Sequence, residues 1–302
     1  MLQLKKLLAS LDIRCQINTS GIREDNSFSK ILGNGSHEPL LHAETAHYQN
    51  ATTRGITFAC MARTEKSKRN LYDHIMDFNR KLEFTGKLPD GIRIMNPFRE
   101  NEGVLHTVDQ FYRKYYSDNM PRKLILGINP GRLGAGSTGI PFTDPKRLKE
   151  KCGIEPAGEI THEPSSVFIY QLIEAYGGVA EFYSDYLISS ICPLGFLEFK
   201  NGKWINHNYY DSAQLQKAIT PFAKEKLIQL TKFGILKKDV YCLGTGKNYN
   251  YINRINEELQ LFDRVIPLEH PRYIMQYKSS SIRQYIDKYL RVLRQETDQF
   301  PI

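Results

Sequence analysis

The chain has 302 residues, 41% of them hydrophobic and 25% charged. That composition excludes collagen-like and wholly disordered classes and leaves room for one large α/β domain or two small ones. Mean hydropathy is −0.45, and with no run of about 18 apolar residues no membrane span is predicted. The opening Met1–Ala9 block is too short an apolar segment for a signal peptide. A formal net charge of +8 points to a polyanionic partner, most simply nucleic acid, and equally fits a basic protein kept soluble by its charge. The five cysteines, Cys15, Cys60, Cys152, Cys192 and Cys242, are odd in number and never spaced Cys-x-x-Cys. This argues against a disulfide framework, a zinc knuckle or a cysteine-ligated cluster, and points to a reduced, cytoplasmic setting.

Residues 1–68 are rich in Asn, Ser, Gly, Thr and His and sustain no helical stripe beyond Leu2–Leu11. They read as a disordered arm or an upstream extension, with Met61 as an alternative start. The main domain is expected over 69–302. Leu71, Ile75, Phe78 and Leu82 recur at helical spacing, and Leu105 to Tyr116 reads as a second helix. Lys123 to Ile128 is a short apolar run typical of a buried strand. A long glycine-rich loop, Asn129 to Asp144, follows. Asp144 as N-cap and Pro145 at the first helical position open a short helix over 145–151. A helix is expected over 165–176, a strand over 183–191, and a helical stretch over 211–233 that Pro221 kinks or restarts. A third strand covers 239–243, a helix runs to about Leu259, a fourth strand covers 264–268, and a last helix spans 279–293. Alternating strands and helices predict a parallel sheet of about four strands inside a three-layer α/β/α fold, where ligands bind beyond the carboxyl ends of the strands. The segments to inspect are therefore Asn129–Asp144, Ser189–Phe196, Gly244–Asn248 and Glu269–Ser281.

Three readings of the first loop compete. As a phosphate loop, Gly131–Thr138 lacks the required lysine. As a dinucleotide fingerprint, Gly134–Gly139 fits G-x-G-x-x-G but starts well after the strand, and Pro141 and Pro145 interrupt any helix opening there. The third reading is a resemblance. Gly127-Ile-Asn-Pro-Gly131 followed by Thr138-Gly-Ile-Pro-Phe142 resembles the first motif of the uracil-DNA glycosylase superfamily, nearest its single-strand-selective monofunctional branch. Ile191-Cys-Pro-Leu194 and His270-Pro271 resemble two further segments of that family, in the same order. The resemblance covers roughly residues 71 to 295.

The resemblance implies a uracil-DNA glycosylase-like fold and hydrolysis of the N-glycosidic bond of uracil in DNA, with neither metal nor cofactor. Asn129 would position the water, and His270 would donate to the carbonyl oxygen of the leaving base. Phe142 would stack on the base, backbone groups at Ile128 and Gly131 would line the pocket, and Ser190 would stand where the branch carries a base-reading Asn. Serine offers one hydroxyl where the amide offers a donor and an acceptor, so hypoxanthine and xanthine join uracil as candidate substrates. DNA, single- or double-stranded, is the implied partner of a monomeric enzyme. Arg272, Tyr273 or Met275 is expected as the wedge into the stack, with Lys278, Ser279 and Lys247 as phosphate seats at helix starts and Arg132, Lys146 and Arg147 at the groove's border. No lysine of the first motif is placed like a Schiff-base nucleophile, so strand cleavage is not implied. A non-catalytic protein that binds damaged or single-stranded DNA is the same-fold alternative.

Overall fold

The structure, a computed structural model, describes residues 69–294 and the backbone of three short strands upstream. Two units divide at residue 68. In the first, β1 (Gln16–Ile17), β2 (Thr52–Thr53) and β3 (Ile56–Ala59) pair antiparallel in the order β1-β3-β2. The extension-arm and Met61 readings otherwise fall outside the described residues.

The second unit is built on four parallel strands, β5 (Arg122–Gly127), β6 (Tyr186–Ser190), β9 (Ile235–Leu243) and β10 (Arg264–Leu268), in the order β10-β9-β5-β6. Their central residues Leu124, Leu126, Val240, Tyr241 and Cys242 are fully buried, as expected for strands covered on both faces. Register decides where the loops emerge. Gly127 lies beside Ser190, and Leu243 beside Leu268. The segments following all four strands thus leave the sheet along one edge.

The helices are α1 (Leu71–Arg80), α2 (Pro97–Glu100), α3 (Glu102–Tyr116), α4 (Ala135–Thr138), α5 (Pro145–Cys152), α6 (Pro164–Tyr176), α7 (Val179–Asp185), α8 (Ala213–Leu230), α9 (Lys247–Leu259), α10 (Pro271–Tyr277) and α11 (Ile282–Arg294). Several starts follow directly from sequence. Asn70 and Asp73 form a reciprocal capping box on α1. Asp144 caps α5 by accepting from the Arg147 N–H at 2.8 Å, with Pro145 at the first position. On α11, Tyr289 and Leu293 are buried while Arg283, Lys288 and Arg291 are exposed, which is the face the spacing predicts.

Four expectations are corrected. Residues 183–185 end helix α7 instead of opening a strand; Gly177 and Gly178, at φ 133° and 99°, turn the chain into that helix, and Phe182 and Tyr183 pack into the core. Pro221 does not restart the helix, since α8 runs through it without interruption; it lies at an exposed position, where a proline inside a helix costs least. Residues 271–277 form a helix of their own, and 279–281 are one 3₁₀ turn before α11. Lastly, a second, antiparallel sheet joins β4 (Ile92–Met95), β7 (Gly195–Lys200) and β8 (Lys203–His207) in the order β4-β7-β8. Its hairpin turns at Asn201-Gly202, both left-handed at φ 52° and 76°, the pairing favoured by two-residue hairpins. No described helix is long and apolar enough to cross a membrane.

Candidate active site

The loop after β5 is folded tightly onto the sheet edge. The N–H groups of Ile191 and Cys192 donate to the carbonyls of Gly127 and Ile128 at 3.1 and 3.2 Å, tying the ends of β5 and β6 together. Within the loop, the buried Thr138 hydroxyl donates to the Thr143 carbonyl at 2.6 Å. The fully buried Asp144 carboxylate accepts from the Arg147 guanidinium at 3.1 Å and the Glu163 N–H at 2.8 Å. Such a ring of satisfied polar groups fixes the loop's shape.

Phe142 is held in the left-handed region, at φ 54°, a conformation costing a side-chain-bearing residue about 1–3 kcal/mol. Its ring lies over Gly127, where a Cβ would come within 2.6 Å of it. Only glycine permits that approach. The same ring sits 5.8 Å from the His270 ring, tilted by 48°.

Asn129 is clamped on both sides of its amide. Its Oδ1 accepts the Tyr209 N–H at 3.1 Å and its Nδ2 donates to the His207 carbonyl at 3.3 Å. This pattern fixes which way the amide faces and leaves one lone pair on Oδ1 uncommitted. The Tyr209 hydroxyl donates to Asn248 at 2.8 Å, and Asn248 donates to the Leu243 carbonyl at 3.0 Å. Asn129 is therefore braced through to the end of β9.

His270 caps α10: its Nδ1 accepts the Arg272 N–H at 3.1 Å. Burial, reinforced by the Arg272 guanidinium, pushes the imidazole down to about 4. At neutral pH the ring is uncharged, and with Nδ1 an acceptor its proton resides on Nε2.

These groups border one cleft of about 850 Å³, large enough for a nucleotide-sized ligand. Of the residues predicted from sequence, Asn129, His270, Ile128, Gly131, Phe142, Ser190, Lys247, Arg272 and Tyr273 line it. Lys278 and Ser279 are exposed but are not among its lining residues, and Met275 is half-buried against the core. Arg147 is not among the lining residues and is bound to Asp144 and to His162 Nδ1 at 2.7 Å. Arg132 and Lys146 are exposed outside the lining. The dinucleotide reading fails on geometry: Gly139 closes the one-turn helix α4 at φ 72°, where that motif needs a glycine opening a long helix.

The sequence reading missed Glu163, Asn208, Tyr210 and Tyr277, all of which border the cleft. The 207–210 segment acts on Asn129 through backbone groups, which leave no residue-type signature. Its nearest sequence signal was the Asn201-Gly202 hairpin that delivers it. Ser190, only 7% exposed, also borders a second cavity of about 40 Å³ shared with Asn79, whose buried Nδ2 has no hydrogen-bond partner among the described residues.

A family model described as the uracil DNA glycosylase superfamily matches residues 113–294. No curated protein sequence matches the chain. Among solved structures, that of wild-type SMUG2 from Pedobacter heparinus is 50% identical, with a TM-score of 0.75, over 77% of this chain and 100% of that one.

Proposed function

The chain belongs to the uracil-DNA glycosylase superfamily, and on that premise we propose that it is a monofunctional glycosylase that removes uracil from DNA and leaves an abasic site. The observation that carries this reading is the single cleft that Asn129, Phe142, Ser190 and His270 border together.

The flipped base stacks on Phe142. As the C1′–N bond lengthens, negative charge grows on the base and positive charge on the sugar. The Nε2–H of His270 donates to the base carbonyl oxygen. A neutral donor of this kind stabilises the departing anion without first giving up a proton. Asn129 Oδ1 holds the water that adds to C1′; an amide orients water but does not accept its proton fully. The base leaves as an anion and is protonated by solvent, while the water's proton returns to bulk. Backbone groups of Ile128 and Gly131 border the base. Arg272, Tyr273 and Lys247 grip DNA at the cleft, and Lys278 and Ser279 meet phosphates farther along the strand, offsetting the few kcal/mol that flipping costs. Ser190 reads the pyrimidine edge with its hydroxyl, assisted by water, for which the cavity shared with Asn79 has room. This shorter reader extends the range to hypoxanthine and xanthine, with uracil preferred.

The test is incubation of the protein with single- and double-stranded oligonucleotides carrying uracil, hypoxanthine or xanthine. Base release and alkali-dependent strand cleavage are expected, fastest for uracil. Binding without release of any base would support the non-catalytic alternative instead. Much faster release of hypoxanthine or xanthine would overturn the substrate preference.

A further inference from the structure

Glu163 has no part in the chemistry so far, although it borders the same cleft as Asn129 and His270. It occupies the N-cap position of α6, yet its side chain does not cap that helix. The carboxylate is instead laid over the turn that follows Asn129. A Cβ at Gly134 would collide with Oε2, and one at Gly131 would lie 3.9 Å from Oε1. The backbone at 163 is anchored by its N–H to the buried Asp144 carboxylate at 2.8 Å. Two charged groups act on the side chain: Asp144 opposes its ionisation and the Arg272 guanidinium favours it. Burial is the largest influence, and the net effect raises its pKa above the usual carboxylate range. Glu163 thus stands between the first motif, through Gly131 and Gly134, and the second, through Arg272.

A carboxylate in a cleft that receives a polyanion opposes binding, so it calls for a compensating gain. The proposed reaction supplies one. Departure of the base leaves positive charge on the sugar, and the amide of Asn129 carries no net charge to meet it. The other carboxylate bordering the cleft, Glu269, is engaged by Lys288 at 2.7 Å, and its second oxygen is buried.

We infer that the Glu163 carboxylate is the fixed negative charge that stabilises the sugar as its C1′ becomes cationic. This rests on the glycosylase reading above. Placing that charge on the enzyme beforehand costs no reorganisation during the reaction. No bond to Glu163 forms or breaks: the water adds to C1′ and the base departs as already described.

The experiment begins with the wild-type full chain on uracil DNA; absence of release there would overturn the glycosylase reading and this proposal with it, whereas release followed by the variant outcomes below would overturn this proposal alone. Given release, Glu163→Gln and Glu163→Asp are compared with wild type in single-turnover excision at saturating enzyme. Affinity is measured separately on an uncleavable oligonucleotide carrying 2′-fluoro-2′-deoxyuridine, and folding by thermal melting. Glu163→Gln should excise about 10²-fold more slowly while binding the uncleavable DNA equally or more tightly. Glu163→Asp should recover part of the rate. In wild type the rate should fall as pH drops through the raised carboxyl pKa, because protonation removes the charge. In Glu163→Gln that limb should be gone, and the rate should hold until His270 titrates at about 4. The proposal is overturned if Glu163→Gln stays within about twofold of wild type, if its loss merely tracks lost affinity or melting temperature, or if it keeps the wild-type acid limb.

Discussion

The two segments that meet at the cleft are built in opposite ways. Residues 129–144 are pinned from every side: Asn129 is bonded through both ends of its amide, Thr138 and Asp144 are buried and satisfied, and Phe142 is held in a left-handed conformation. Residues 271–278 present Arg272, Tyr273, Gln276, Tyr277 and Lys278 to solvent, with only Pro271 and Ile274 buried. On the proposed function, the groups that must meet a transition state within tenths of an ångström are the ones braced by a polar network, and the groups proposed to grip the flexible DNA are the ones left exposed. His270, at the junction, belongs to the braced set through its cap on the Arg272 N–H.

That contrast orders the expected effects of mutation. Asn129→Ala should have the largest, slowing excision by about 10²–10⁴-fold while leaving DNA affinity nearly intact in a titration with uncleavable substrate. His270→Ala should slow excision by about 10²–10³-fold, the usual cost of one donor to a developing anion. Asp144→Ala tests the bracing itself: it strands the Arg147 guanidinium and the Glu163 N–H, and should lower unfolding stability in urea by about 3–5 kcal/mol. A change under 1 kcal/mol, small against that range, would mean that the loop does not depend on this carboxylate. Tyr273→Ala, on the adaptable side, should leave folding unchanged and weaken DNA binding by about 1–3 kcal/mol if the ring stacks on a base. The smallest effect is expected for Lys278→Ala, which should reduce the slope of log affinity against log salt by about 0.9. An unchanged slope would remove Lys278 from the DNA contacts.

The same contrast explains what was legible in the sequence. Buried parallel strands announce themselves by apolar runs such as Leu124–Leu126, so the segments beyond them could be singled out for inspection; within those segments it was the family resemblance, and not spacing or composition, that picked out Asn129, Phe142 and His270. The antiparallel sheet was not read. Its strands are short and polar on one side, with Glu198, Lys200 and Lys203 interrupting the pattern, and the Asn201-Gly202 turn was the overlooked clue. Helix α7 was mistaken for the start of β6 because Phe182 and Tyr183 suit either state and seven residues are too few to display a helical period. Glu163 was invisible for another reason: a single glutamate before a proline says nothing until folding brings Gly131 and Gly134 beneath it.

The most direct test is a crystal structure of the protein bound to an oligonucleotide containing 2′-fluoro-2′-deoxyuridine. The uracil should lie against the Phe142 ring, its carbonyl oxygen within hydrogen-bonding reach of His270 Nε2, with a water on Asn129 Oδ1 at the opposite face of C1′. A nucleotide seated outside this cleft, or one that Asn129 and His270 do not flank, would contradict the shared site.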